Sequence, residues 1–378
     1  MSMIYLDNNA TTRIAPEVLD AMRPFLEERW GNPSSLYAFG SDLQRNIEKA
    51  REQVARLIGA KRPSEIIFTS SGTESDVTAL HSALAQNPDR KHIVTTAVEH
   101  SAVLLTLRNL ASKGYEVTFL PVTRDGLLDL DTFTSALRND TALVSIMWAN
   151  NETGVIFPIE KIADAVATKN IPLHVDAVQA AGKIPIDVHR IPVTYLSLSG
   201  HKFHAPKGIG ALFVRRGVKF TPLFWGNQEM NRRGGTENVA AIVGLGKACD
   251  LATQSLAEGS DRMTQLRDRL ERELLAKIPR SIRNGAASPR VPNTLNVSFE
   301  GVESEALLLL LNEVGICASS GSACSSGALE PSHVLTAMGV SKGFAQGALR
   351  LSLSRYTTEG DIDHIVATLS GIIARLRG

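Results

Sequence analysis

A lysine and an aspartate stand at the ends of two successive short apolar runs. Lys202 closes the run that begins at Tyr195, and Asp176 closes the run that begins at Leu173. A lysine amine can hold an aldehyde cofactor as a Schiff base, and a carboxylate can keep that cofactor's pyridine nitrogen protonated. Together the two residues predict a site for pyridoxal 5′-phosphate.

A second candidate is the segment 69–75, which joins a predicted strand to a predicted helix. Gly72 lets the backbone approach an anion, and the Thr73 hydroxyl lies beside the free N–H groups of the helix start. The alternative is a simple Ser/Thr helix cap. Beside Asp176 and Lys202, the phosphate interpretation is favoured.

Four further polar residues stand close to predicted strand ends. His100 could stack on a pyridine ring and take part in proton transfer. Ser199 and His201, next to Lys202, are candidate phosphate ligands. Gln179 could reach the phenolic oxygen of the cofactor, or could simply begin a helix.

Two residues could hold a substrate carboxylate. Asn150 follows an apolar run, and Arg350 opens a later strand pattern. An arginine offers paired hydrogen bonds to a carboxylate. An arginine at the start of a strand is also often a surface residue, so this assignment needs other support.

Cys324 lies in a stretch of small residues, 318–327, that predicts an exposed and mobile backbone. A cysteine on such a loop is a candidate nucleophile, and a harmless exposed thiol is the alternative. Cys249 has apolar neighbours and fits a buried structural role.

Short apolar runs alternate with helical patterns between about residues 64 and 215. The runs are Glu65–Thr69, His92–Ala97, Glu116–Leu120, Ala142–Ala149, Pro172–Val175, Tyr195–Leu198 and Ala211–Val214. This alternation predicts an α/β fold with a largely parallel sheet. Ligands bind outside the carboxyl ends of such strands, where the candidate residues fall.

The pattern changes after about residue 255. A charged amphipathic helix is predicted over Asp261–Ile278, followed by a strand at Thr294–Phe299 and a helix at Ser304–Glu313. A last helix begins at Thr358. We therefore predict a large cofactor-binding domain over 16–258. A smaller α+β domain would comprise 1–15 and 259–378 and carry the cysteine loop at about 318–330.

Composition narrows the functional class. The chain has 378 residues, 43% hydrophobic content and a formal net charge of +1, which argues against a nucleic-acid surface. It shows no membrane-spanning apolar stretch and no secretory signal, and its three cysteines form no Cys-x-x-Cys motif. A cytoplasmic enzyme is expected.

Motifs along nearly the whole chain resemble those of the cysteine desulfurases, pyridoxal phosphate enzymes of the aspartate-aminotransferase fold type (fold type I). The motifs lie at 5–12, 31–35, 72–76, 99–100, 150–154, 174–179, 199–202, 233–238, 320–327 and 350–355. The segments 323–333 and 352–359 are most similar to the nitrogen-fixation and iron–sulfur-assembly group. The resemblance implies cofactor or substrate roles for Lys202, Asp176, Gln179, His100, Gly72, Thr73, Ser199, His201, Asn150 and Arg350.

The resemblance also implies a reaction and its partners. L-cysteine would become L-alanine, and Cys324 would take the sulfur as a persulfide for an iron–sulfur scaffold protein. Thr236 would reach the cofactor phosphate of a partner subunit, so a homodimer is expected. No resident metal is implied, although Cys324 could ligate a cluster transiently with the scaffold.

Five positions depart from the expected pattern, and none removes a group that the chemistry requires. They are Tyr37, Val77, Trp225, Asn231 and Gln346. Other pyridoxal phosphate enzymes, namely selenocysteine lyases, aminotransferases and kynureninase-like hydrolases, remain alternatives that need no mobile cysteine. A catalytically silent docking subunit is another alternative, but it has no use for Lys202, Asp176, His100 and Cys324 together.

Overall fold

A seven-stranded sheet forms the centre of the computed structural model, which describes residues 3–285, 289–320 and 331–378. Its strands are β2 (Ile66–Thr69), β3 (His92–Thr96), β4 (Glu116–Leu120), β5 (Thr141–Met147), β6 (Leu173–Asp176), β7 (Tyr195–Ser199) and β8 (Gly210–Val214). Their order is β2-β8-β7-β6-β5-β3-β4. The sequence predicted all seven strands; six of them are buried runs rich in β-branched and aliphatic residues, and the edge strand β4 is partly exposed.

Strand direction is mixed at one edge of this sheet. The pairs from β7 through β4 are parallel, whereas β8 runs antiparallel to both β2 and β7. The sheet is therefore mostly parallel, as predicted, and the carboxyl ends of β5, β6 and β7 meet at one edge.

Helices cover the sheet and build the rest of the chain. They are α1 (Pro16–Glu27), α2 (Ala38–Ser41), α3 (Leu43–Leu57), α4 (Gly72–Gln86), α5 (Ser101–Ser112), α6 (Leu130–Ala136), α7 (Ile159–Ala167), α8 (Gln228–Asn231), α9 (Val239–Lys277), α10 (Ser304–Glu313), α11 (His333–Ala337), α12 (Lys342–Ala345) and α13 (Glu359–Arg377). No helix in the described ranges is long and apolar enough to cross a membrane.

A second apolar core gathers the C-terminal elements. The antiparallel sheet β12-β10-β9 (Ala348–Ser352, Thr294–Phe299 and Ser281–Arg283) packs with α10, α13 and the second half of α9. The N-terminal strand β1 (Ile4–Tyr5) pairs in parallel with β11 (Ile316–Cys317), and Leu6 joins the same core. The last predicted helix is α13, and Thr358 caps it in a capping box with Asp361.

One long helix connects the two cores. Helix α9 runs unbroken through residue 258, where the sequence analysis placed a domain boundary. Its first part, up to Cys249, packs in the core of the large sheet, and Leu266, Leu270 and Leu274 pack in the second core. The division into two domains stays a prediction, with α9 shared between them.

Candidate functional site

Lys202 lies at the sheet edge and contacts the N-terminal arm. It ends the 3-10 turn Gly200–Lys202, which directly follows β7. Its Nζ donates to the backbone carbonyls of Asn9 and Ala10, each at 2.7 Å. The fold therefore places this amine against a segment almost 200 residues away in the chain.

Asp176 is the last residue of the neighbouring strand β6, and it is buried. Its Oδ1 accepts a hydrogen bond of 2.9 Å from the backbone N–H of Val178. Burial raises the pKa of Asp176 to about 6, with a further upward contribution from Asp76 and an opposing one from His100. The group is therefore mainly ionised at neutral pH and can pair with a protonated pyridine nitrogen.

His100 caps the N-terminus of α5 through its ring. Its Nδ1 accepts from the backbone N–H of Ala102 at 3.2 Å, so the neutral ring carries its proton on Nε2. Burial lowers the pKa of His100; the charge of Asp176 opposes this, and that of Lys202 reinforces it. The structure thus brings His100 within electrostatic range of both residues.

The start of α4 lies against the ends of β6 and β7. A Cβ added to Gly72 would lie 2.8 Å from Val178 Cγ2 and 3.2 Å from Ser199 Cβ, so only glycine fits without displacement. Ser71 caps the helix, its Oγ accepting from the Glu74 N–H at 3.1 Å. The first N–H groups of a helix have no partner inside it, so this end, with Thr73 in the first turn, can hold an anion.

A cavity of about 340 Å³ lies beside this helix start and is lined by Ser71, Ser199, His201 and Lys207. Burial lowers the pKa of His201 to about 4, and the nearby Lys202 and Lys207 add to the effect. His201 would therefore meet a phosphate as a neutral ring. Lys207 supplies a cation that the sequence analysis did not single out.

These groups fit pyridoxal 5′-phosphate. An amine, an ionised carboxylate at a strand end and a helix start lined with hydroxyl groups match the aldehyde, pyridine nitrogen and phosphate of that cofactor.

Gln179 is buried within a hydrogen-bonded group that includes the N-terminal arm. Its Nε2 donates to the backbone carbonyl of Asn9 at 3.0 Å, and its Oε1 accepts from Lys183 Nζ at 2.5 Å. The sequence analysis gave no role to Asn9 or Lys183. The spacing of four residues between Gln179 and Lys183 could have indicated that their side chains lie close together.

Asn150 and Arg350 are both buried, and both have protein partners. The Asn150 side-chain oxygen accepts from the N–H groups of Glu152 and Thr153, each at 3.0 Å, while its Nδ2 donates to the Val98 carbonyl at 3.0 Å. A substrate carboxylate bound here would have to share or replace these bonds.

Arg350 forms an ion pair inside the protein rather than lying at the surface. Its Nη2 donates to Asp7 Oδ1 at 2.6 Å and its Nη1 to the Asn151 carbonyl at 3.1 Å. Within the described part of the chain, its buried Nε has no hydrogen-bond partner. Arg350 could therefore bind a carboxylate by exchanging Asp7 for the ligand.

Two predicted residues are not placed in this group. Thr236 is exposed, in the segment that follows α8. Cys324 lies outside the described residues. The described residues on either side of the cysteine segment contact the site: Ser319 bridges to Arg350, and His333 Nε2 lies 3.1 Å from the Glu99 carbonyl.

A group of buried acids beneath the site was also missed. Asp76 on α4 and Glu99, the neighbour of His100, are fully buried; Asp76 raises the pKa of Asp176, and Asp176 in turn raises the pKa of Glu99. Nothing local in the sequence distinguishes these acids from surface acids, because their burial depends on helix packing against the sheet.

The chain is similar to known proteins over its full length. The model of the aminotransferase class-V family matches residues 4–365. A cysteine desulfurase of Trichormus azollae is 54% identical, and the cysteine desulfurase NifS of Azotobacter vinelandii is 53% identical. Each alignment covers 100% of this chain and 94% of the relative. A solved NifS-like protein superposes with a TM-score of 0.92 at 40% identity, covering 99% of this chain and 100% of that one.

Proposed function

We propose that this chain converts L-cysteine to L-alanine. The premise is that it belongs to the cysteine desulfurases of the aminotransferase class-V family. The sulfur would leave as a persulfide on Cys324. The observation that carries the proposal is the placement of Lys202 at the end of β7, beside the ionised Asp176 at the end of β6.

Pyridoxal 5′-phosphate is the cofactor of this family, and when bound it supplies the electron sink for a carbanion at the substrate Cα. Lys202 would hold its aldehyde carbon, and Asp176 its pyridine nitrogen. Gly72, Thr73, Ser199 and His201 would hold its phosphate. The family resemblance assigns the phenolic oxygen to Gln179.

The reaction requires several proton transfers and one sulfur transfer. Lys202 Nζ would remove the Cα proton of L-cysteine, while Asn150 and Arg350 hold the substrate carboxylate. His100, with its proton on Nε2, would deliver or accept a proton at the reacting atoms.

The Cys324 thiolate would attack the substrate sulfur. A new S–S bond forms as the C–S bond breaks, and the bonding electrons pass to the substrate carbon. Protonation of that carbon framework then gives alanine.

The partners are proposed on separate grounds. Thr236 is exposed on a segment that also exposes Phe224 and Trp225, as expected of a surface that meets a second copy. A homodimer with sites completed across subunits follows from this proposal. An iron–sulfur scaffold in the cytoplasm is the proposed sulfur acceptor. The proposed pathway is iron–sulfur cluster assembly, either general or dedicated to nitrogenase maturation.

The test is alanine formation from L-cysteine by the cofactor-loaded protein with a thiol reductant present. Equal amounts of alanine and sulfide are expected. Cys324→Ala should retain the visible absorbance of the cofactor and lose sulfide release, whereas Cys249→Ala should keep both because that thiol is buried in the core. Wild-type turnover by Cys324→Ala would refute the persulfide role, and no alanine from loaded wild-type protein would refute the desulfurase.

A further inference from the structure

Lys183 is a buried lysine to which the proposed reaction assigns no role. Its residue surface is 6% exposed, and it lies in the turn that follows β6. Its Nζ contacts two amide oxygens, Gln179 Oε1 at 2.5 Å and Asn9 Oδ1 at 3.2 Å. Among the described residues Lys183 forms no ion pair, and its Nζ contacts these two amides.

The orientation of Asn9 is determined by its other neighbours. Its Nδ2 donates to the Asn151 carbonyl at 3.1 Å, and a carbonyl can only accept. Its Oδ1 therefore points the other way, where it accepts from Asn293 Nδ2 at 3.0 Å and from Lys183. Asn9 is thus a rigid part of the site.

The orientation of the Gln179 amide follows from both of its ends. The Asn9 carbonyl can only accept, so it faces Nε2, and Lys183 donates to Oε1 at the opposite end. One hydrogen of Nε2 is used by Asn9, which leaves the second hydrogen to donate elsewhere.

The Gln179 amide nitrogen that carries this hydrogen is a neighbour of Lys202. The same Asn9 carbonyl oxygen accepts from Gln179 Nε2 at 3.0 Å and from Lys202 Nζ at 2.7 Å. Two donors on one oxygen must be neighbours, so the amide of Gln179 lies beside the amine that would hold the cofactor.

We propose that Lys183 is a positioning residue that holds Oε1 of Gln179, so that an N–H of this amide donates to the phenolic oxygen of the bound cofactor. This rests on the cofactor site proposed above. A donor at Oε1 also polarises the amide, which strengthens the N–H at its other end. Lys183 would therefore affect the cofactor only through its hydrogen bond to Gln179.

The consequence can be measured without turnover. A hydrogen bond to the phenolic oxygen stabilises its anionic form and makes protonation of the adjoining Lys202 linkage less favourable. Weakening that bond raises the pH midpoint at which the visible absorbance of the loaded protein changes. The expected rise for Lys183→Met is about one pH unit, the scale of one hydrogen bond to a charged group.

The experiment is a double-mutant cycle read by absorbance against pH. Lys183→Met and Gln179→Ala should each raise the midpoint, and the double variant should match Gln179→Ala alone. Lys161→Met, which removes an exposed lysine on α7, is the control and should leave the midpoint unchanged. An unchanged midpoint in Lys183→Met would overturn the proposal. So would an equal shift in the Gln179→Ala background, because Lys183 would then act on the cofactor without Gln179.

A second variant covers the case in which Lys183→Met does not fold. Gln179→Glu replaces the amide with a carboxylate that cannot donate when ionised, and its midpoint should also rise. A wild-type midpoint in Gln179→Glu would overturn the donor role on which the proposal depends. If wild-type protein binds no cofactor and shows no visible band, the cofactor site itself is wrong, which is a separate failure.

Discussion

Two regions of this molecule bury carboxyl groups in opposite ways. Beneath the site, burial raises the pKa of Asp76 to about 7 and of Glu99 to about 8, and neither pairs with a lysine or arginine among the described residues. Before α9, Glu229 is equally buried but accepts two bonds from Arg51, at 2.6 and 3.0 Å. The two regions therefore differ in whether a buried carboxyl group has a cationic partner, not in how deeply it is buried.

The neighbours of Asp76 and Glu99 beneath the site are polar groups without charge. Asp76 lies 3.4 Å from Nε2 of His174, but burial lowers the pKa of His174 to about 4, so that ring is neutral. Glu99 accepts from the Thr96 hydroxyl at 2.6 Å and from the Met147 N–H at 3.1 Å. Of the three buried acids Asp76, Glu99 and Asp176, Asp176 has the lowest pKa, about 6, as a partner of the pyridine nitrogen should have.

The paired region carries a strained backbone. Glu229, Met230 and Asn231 have φ values of 50, 59 and 61°, a left-handed conformation that side chains disfavour. Arg51 anchors this turn through its bonds to Glu229. Arg233 anchors the following segment, its Nε donating to Glu74 Oε1 at 2.9 Å. Asn231 stands where the resemblance expects glycine, and asparagine is among the residues that tolerate this conformation best.

Among these tests, removing the Arg51 cation should change the unfolding free energy most. Arg51→Met would leave Glu229 buried without its partner, which typically costs about 3–5 kcal/mol of unfolding free energy. Urea denaturation of the cofactor-free protein measures it. Glu48→Gln is the control, because Glu48 contacts Arg51 from the half-exposed surface and should cost roughly 1 kcal/mol or less. If both variants unfold at the wild-type urea concentration, the buried pair does not stabilise the fold.

The unpaired acids should make stability depend on pH. The pKa of Glu99 rises from its ordinary 4.5 to about 8 on folding, so between these values the folded state binds a proton that the unfolded state has lost. Unfolding free energy then falls with rising pH by about 1.4 kcal/mol per pH unit for each such group. Glu99→Gln should remove this share of the slope from pH 5 to 8 in cofactor-free protein. A slope as steep as that of the wild type would show that Glu99 is ionised in the fold.

The smallest effect concerns the strained turn. Met230→Gly would relieve the left-handed conformation and stabilise the protein by about 1 kcal/mol relative to Met230→Ala, which keeps the strain. Met230 is half-exposed, so little packing is lost in either variant. Equal thermal midpoints for the glycine and alanine variants would show that the turn stores no strain.

The local sequence pattern was sufficient to predict the strands of the large sheet and the first candidate site residues. Periodicity placed all seven strands of the large sheet, and the residues that end parallel strands necessarily meet at one edge. Lys202, Asp176 and the helix start at Gly72 could therefore be predicted together.

Only the tertiary structure decided which groups hold those residues in place. Asn9 meets Lys202 and Gln179 across more than 160 residues of chain, and Arg350 meets Asp7 across more than 340. The protonation of Glu99 and Asp76 likewise depends on burial, which arises only in the packed structure. Sequence periodicity describes how a segment folds, but contacts between distant segments and the desolvation of a charge arise only when those segments pack.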